Sequence, residues 1–260
     1  MKKIEKYLIL IFLATIPGVC RSQSFSVKPY FGYAQVQMSE VNSDSRARVD
    51  NLILNAEQNL PYPDPFEGNY AWGIQIGYHL EDNYFLTVGT YYFKEPNNLN
   101  YQDMSAGYPV QFTNERMIEY FEINFGMKYL FNYSSWKRFH FYLAGSGGFA
   151  IGWSESVFKY SDDINTVDNK GDFSSNALIG LFSVGISLRL SSIISIEPEI
   201  GYRVANLSQM EGTLKVSQNF PNIPDGQIEG TDNNYRTESN YNYSGYFANI
   251  GINFLIDFPN

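Results

Sequence analysis

Few residues in this 260-residue chain are arranged to do chemistry. There are only two histidines, His79 and His140, and one cysteine, Cys20. A histidine beside Ser, Asp, Asn or Glu is the base of a hydrolase that orients or activates an attacking group. Glu197 and Glu199 stand two apart, so on a strand both carboxylates point the same way, as a glycosidase acid pair would require. Asp162, Asp163, Asn165, Asp168 and Asp172 offer oxygen ligands of the kind Ca²⁺ takes, but their spacing misses the D-x-[DN]-x-[DN]-G pattern with Glu at position twelve. No metal, cofactor or catalytic residue is therefore assigned from motif alone, and the decision passes to the elements that carry these groups.

Those elements show period-two alternation, which recurs eight times. Tyr70, Trp72, Ile74, Ile76 and Tyr78 alternate with small or polar residues, and so do Phe121, Ile123, Phe125, Met127 and Tyr129. The same pattern governs Phe139 to Ile151, Phe182 to Leu190, Ile194 to Tyr202 and Tyr246 to Ile256, with weaker versions at Phe25 to Tyr33 and Tyr84 to Tyr92. The apolar faces carry no Asp, Glu, Lys or Arg. The opposite faces carry Lys28, Glu122, Lys128, Arg138, Arg189, Glu197, Glu199 and Arg203. A soluble barrel hides its apolar face inside, whereas a barrel in lipid turns it outward and keeps charge in the lumen. Charges of both signs on one closed face suit a paired structural network in a narrow lumen. Tyr and Trp near the segment ends fit interfacial girdles.

Composition agrees. The chain has 20 Phe and 21 Tyr, 17% aromatic against 17% charged residues, and a net charge of −9. Lys2, Lys3 and Lys6 precede an apolar run from Tyr7 to Val19 and then Cys20-Arg21-Ser22, the pattern of a cleaved signal peptide over residues 1–22. Cleavage removes the sole cysteine and four basic residues against one acid. The mature chain, 23–260, is thus more acidic and free of thiol chemistry, and nucleic acid is not expected as a partner.

Connections alternate in length. Those near 81–83, 131–137 and 191–192 are short, while 39–69, 94–116, 154–174 and 206–240 are long and polar. Short periplasmic turns and four long extracellular loops give the expected fold: all-β, a single eight-stranded antiparallel transmembrane β-barrel. In the fourth loop, Gly212 to Val216 and Gln227 to Glu229 are candidates to prolong strands seven and eight as a raised hairpin.

Topology now judges the chemistry. His79 ends the second strand and His140 begins the fifth, so both fall at the periplasmic rim, away from the outer leaflet where an acylase would act. Glu197 and Glu199 point into an interior just wide enough to be filled by side chains. The Asp cluster sits at a loop tip, where solvated acids are ordinary. An enzyme is not expected. In the first loop Val49, Leu52, Ile53, Ala56 and Leu60 follow helical spacing, with Ser43 or Ser45 as cap and Pro61 as stop. This short amphipathic helix either covers the barrel mouth or offers a docking face to a partner.

Glu119 to Phe131 (EYFEINFGMKYLF), HFYLAGSGGFAIG at 140–152 and ISIEPEIGYRVANL at 194–207 resemble the small outer-membrane β-barrel domains of the PorT-like and OmpX-like kind. Ile252, Phe254, Ile256 and Phe258 are similar to the terminal signal read by the barrel-insertion machinery, although Pro259-Asn260 extends beyond it, and Asn124 stands where many relatives carry Pro. The resemblance implies a bacterial outer-membrane location in contact with lipid and lipopolysaccharide. It also implies a structural or surface-interaction role through the loops, with an extracellular or envelope protein as the candidate partner. The alternative is an accessory part of a transport or secretion complex, or a narrow conduit.

Overall fold

The computed structural model describes residues 24–56, 58–81, 83–104, 107–131, 138–222 and 226–257. The expected signal peptide and Phe258 lie outside them. Among the described residues there are ten strands and one helix: β1 (Ser24–Gln35), α1 (Ser39–Ala56), β2 (Gly68–Glu81), β3 (Tyr84–Asp103), β4 (Val110–Leu130), β5 (Phe139–Ser161), β6 (Thr166–Arg189), β7 (Ile194–Val204), β8 (Asn206–Asn219), β9 (Gln227–Asn242) and β10 (Gly245–Asp257).

Eight of the strands close on themselves. β1 to β7 pair in sequence order, β7 pairs with β10, and β10 returns to β1, every pairing antiparallel. The other two, β8 and β9, stand above the ring as a hairpin whose β8 pairs with β6 over Thr166 to Ser174. They continue β7 and β10 across a hydrogen-bonded break, where Tyr243 N donates to Ala205 O at 2.9 Å and Ala205 N donates to Ser244 Oγ at 2.9 Å. The hairpin expected in the fourth connection is therefore present.

Three of the expected long loops are corrected. β3 runs on to Asp103, β4 starts at Val110, β5 reaches Ser161 and β6 starts at Thr166, which leaves true connections of 104–109, 162–165 and 220–226. The reason lies in the solvent. On the lower half of β4 the outward residues are Phe121, Ile123, Phe125, Met127 and Tyr129, and the inward ones Glu122, Asn124 and Lys128 are buried. Above Phe121 the pattern reverses: Gln111, Thr113, Glu115 and Glu119 point out, while Val110, Phe112, Ile118 and Tyr120 are buried inside. The strand is continuous, but its apolar side changes from the outer face below to the inner face above.

Above the lower ring the wall also loses strands. β3 beyond Phe93 pairs only with β4, and β9 pairs only with β8. The connection between β1 and β2 occupies the gap. Asn240 donates from its backbone N (2.9 Å) and Nδ2 (3.0 Å) to Glu40 of α1, Asn97 donates to the carbonyl of Asp64, and Glu95 accepts from the backbone N of Glu67 and of Gly68. At Gly68 the chain enters β2 with φ 137°, and a Cβ would lie 2.1 Å from Ala34 O, so no side chain is accommodated there. Helix α1 begins at Ser39, ten residues before Val49, because Met38 and Val41 are already buried in the upper interior with Phe66, Tyr91, Phe93 and Tyr120. Ser43 and Ser45 are therefore inside the helix and do not cap it.

Candidate functional site

The inward face of the lower ring gathers charges from strands far apart in sequence. Lys28 on β1, Lys128 on β4 and Glu197 and Glu199 on β7 meet across the lumen. Lys128 Nζ donates to both oxygens of Glu197 at 2.7 Å, and Lys28 Nζ lies 3.0 Å from Glu199 and 3.5 Å from Glu197. Tyr142 OH and Asn249 donate to Glu199 at 2.9 and 3.2 Å, and Asn253 donates to Glu197 at 3.2 Å. Two cations and two carboxylates thus cancel, with their remaining lone pairs occupied, which is the condition under which buried ions are tolerated. One level higher, Arg203 is wholly buried between the rings of Tyr91 and Tyr120, 4.8 and 4.7 Å from their centroids. Its Nε donates to Tyr243 O at 3.1 Å, and Glu122 stands 3.9 Å away, held by Tyr120 OH at 2.6 Å and Asn124 at 3.0 Å.

The structure thus brings six of the eight expected lumen residues into two neutral groups. The other two lie lower: Arg138 is exposed just before β5, and Arg189 is half-buried beside His140 at the lower end. Both groups leave little space. The cavity between them, lined by Tyr30, Gln75, Asn124, Glu199, Arg203 and Asn249, is about 40 Å³, and that below them, beside His140, is also about 40 Å³. Each is enough for one or a few waters. Directly above Arg203 lies an apolar core, closed by Met38, Val41, Phe66, Leu207, Met210 and Tyr243. This upper apolar core was not foreseen from sequence.

The other candidates are placed as follows. His79 shares a 2.9 Å hydrogen bond with Ser24 Oγ and stacks on Phe85 at 4.4 Å, and His140 is 2% exposed. Asp162 accepts from the backbone N of Ile164 and Asn165 and from the side chains of Asn165 and Tyr160, so it organises the β5–β6 turn. Burial opposes charge on it, yet these hydrogen bonds prevail and hold its carboxyl below the usual range. Val49, Leu52 and Leu60 are buried against Val110, Phe112, Tyr160, Val167 and Phe220, with Ile53 half-buried beside them. The expected docking stripe is in this way covered by the chain's own hairpins; the side chain of Ala56 is outside the description.

The outer wall has a different character. Phe31, Trp72, Ile76, Leu86, Phe125, Phe149, Leu178, Phe182, Ile200 and Ile252 are all at least 37% exposed. Aromatic pairs bound this belt: Trp72 with Tyr92 (5.3 Å) and Tyr202 with Tyr246 (5.0 Å) above, Tyr84 with Tyr129 (4.8 Å) below. From Tyr84 to Tyr92 a strand rising about 3.3 Å per residue and tilted about 40° climbs about 20 Å. A groove of about 1100 Å³ lies on this wall at its upper margin, floored by Phe182, Val184, Ile200 and Ala248 and rimmed by Gln35 and Gln37.

No protein-family model matches the sequence, and no curated protein matches it. Solved structures do resemble it. Neisserial surface protein A is 10% identical, with 92% of this chain and 100% of that one covered and a TM-score of 0.42. A major outer membrane protein of Thermus thermophilus is 10% identical, covering 91% and 100%, also at 0.42. Ail, the attachment invasion locus protein of Yersinia pestis, is 9% identical, covering 91% and 100%, at 0.41. Likenesses of this strength are too loose to argue from, and the ring, the belt and the lumen stand on their own geometry.

Proposed function

We propose that the chain is an outer-membrane β-barrel with a sealed lumen, exported by a cleaved signal peptide, whose role is structural or one of surface interaction. The membrane reading is supported by the exposed apolar belt between aromatic pairs and by the reversal of alternation above it. Soluble monomers rarely expose so large a contiguous apolar patch without a surface to meet it, and here the surface is outer-membrane lipid, with lipopolysaccharide around the upper margin. With the short-turn end read as periplasmic, the two histidines lie away from the outer leaflet, which supports a role other than that of an enzyme.

The observation that carries the sealed-lumen reading is the double closure: two charge-neutral groups below and an apolar core with α1 above. What remains accessible is the raised part of the molecule, including the exposed upper stretch of β9 from Gln227 to Asn234, and these are the surfaces offered to an extracellular or envelope protein partner. The test is a planar-bilayer recording of the purified chain. Absence of steady conductance steps fits the reading; reproducible steps altered by Lys128→Ala would replace it with a conduit. A second reading, an accessory of a transport or secretion complex as the PorT-like resemblance suggests, draws on the outer-wall groove. Crosslinking from Ala248→Cys in native membrane, with capture of a second barrel, would favour it.

A further inference from the structure

Within the ring, the buried ions described above stand near an opposite charge: Lys28 and Lys128 near Glu197 and Glu199, Arg203 near Glu122. Arg116 differs. It points inward from β4, four residues above Tyr120, with the ring of Phe66 4.6 Å from its guanidinium. Nη2 donates to Val41 O at 3.4 Å, while Nη1 is buried without a hydrogen-bond partner. Among the described residues no carboxylate forms an ion pair with it. The nearby Asp44 lies 3.1 Å from Arg48 on the same helix, so that pair is neutral by itself. Burial pushes the guanidinium down to about 10, which still leaves it charged at neutral pH.

Beside Arg116 is a cavity of about 30 Å³. Its lining includes Ser45, Asn114, Ser154, Thr237 and Ser239, all buried, from the four elements α1, β4, β5 and β9, together with the paired Asp44 and Arg48. Hydroxyl and amide groups around a half-buried, inward-pointing cation whose Nη1 is buried without a partner make an environment for negative charge, since a cation turned into the interior without a counter-charge is unfavourable and polar groups alone do not neutralise it. The size is restrictive. It corresponds to one or two water-sized spheres, too small for sulfate, phosphate or a sugar acid.

We propose that the Arg116 cavity binds one small monovalent inorganic anion of the halide class, which completes the charge balance of the upper domain and ties α1 to β4, β5 and β9. The site lies above the apolar belt, so its anion comes from the aqueous phase on that side. Binding would stabilise the fold as a ligand does, in proportion to the logarithm of its concentration above the dissociation constant.

Two measurements on the full chain in nonionic detergent test this. Thermal unfolding is followed in sodium chloride, sodium bromide and sodium gluconate at fixed ionic strength. Halide, and not gluconate, is expected to raise Tm by about 3–5 °C for each tenfold increase, and Arg116→Gln is expected to abolish the dependence. Equal halide response in Arg116→Gln would overturn the proposal. Crystals soaked in bromide supply a readout independent of the variant's ability to fold: an anomalous peak within about 3.5 Å of Arg116 Nη1 supports the site, and water or no peak there refutes it.

Discussion

Replacing Lys128 by Met tests whether the lumen is a packed ionic core. Lys128 holds both oxygens of Glu197 at 2.7 Å, and both side chains are at most 7% exposed. Removing the cation leaves Lys28, 3.0 and 3.5 Å from its two carboxylates, to balance two charges alone. Breaking a buried pair in this way costs about 3–5 kcal/mol, and the surviving Lys28 and Asn253 contacts place this case near about 3. Glu197→Gln should cost about the same, because it strands Lys128 with the Tyr142 and Phe85 rings, 4.4 and 5.7 Å away, and the more distant Glu199 as compensation. The double variant keeps the neutral Lys28–Glu199 pair and should also cost about 3 kcal/mol, so the two changes are coupled by about 3 kcal/mol. Reversible guanidinium unfolding in micelles, followed by circular dichroism, measures all three. Single variants within about 1 kcal/mol of the parent, or costs that simply add, would mean that water reaches the ions and would refute the packed-core reasoning.

Three further outcomes are expected. Phe125→Arg, at the middle of the belt and opposite Val88 and Gly147, should lower stability in lipid vesicles by about 2–4 kcal/mol, whereas Glu155→Arg above the belt should stay within about 0.5 kcal/mol. Val49→Asp, at a wholly buried position of α1, should cost at least about 4 kcal/mol by chemical denaturation, and Leu54→Asp, 75% exposed on the same helix, almost nothing; equal and small effects would restore Val49 to a free docking face. Burial raises the Glu95 carboxyl above its ordinary range against the pull of the Glu67 and Gly68 amides, and its Oε2 is unpartnered. Its ionisation therefore works against the fold. Glu95→Gln should match the parent below about pH 4 and gain in relative Tm as pH rises from about 4.3 through the raised native value, then level off; a gain on acidification would contradict the sign.

The parts of the fold beneath the exposed apolar belt were legible because the outer face there is apolar at nearly every second residue, as in Tyr70 to Tyr78 and Phe121 to Tyr129, with Thr90 on β3 an exception. The upper strands were not, because their apolar residues change sides: Phe112 and Tyr120 lie inward in a stretch whose continuation places Phe121 and Phe125 outward. A single-phase reading sees noise there and assigns loops. The helix was found from Val49 onward, but its first ten residues interleave Val41 and Ser45, both buried, with charged residues, which weakens the stripe. Lumen membership followed from parity within a strand, whereas pairing did not. Lys28 and Glu199 are 171 positions apart, and only closure of the ring brings them together. Arg138 was misplaced for a simple reason: it precedes β5, so strand parity does not apply to it.

The reversal of apolar phase around Glu119 to Glu122 also restricts how length can vary in this protein. Ordinary surface loops absorb insertions of any size. Here, adding or deleting one residue above Phe121 in β4 would swap Phe112 and Ile118 with Gln111 and Met117 and force a matching swap along β3 and β5, with which they pair residue by residue. Two-residue changes preserve the sides. The raised hairpins are therefore free to lengthen or shorten by even steps, and variation in their height comes in units of one pleat.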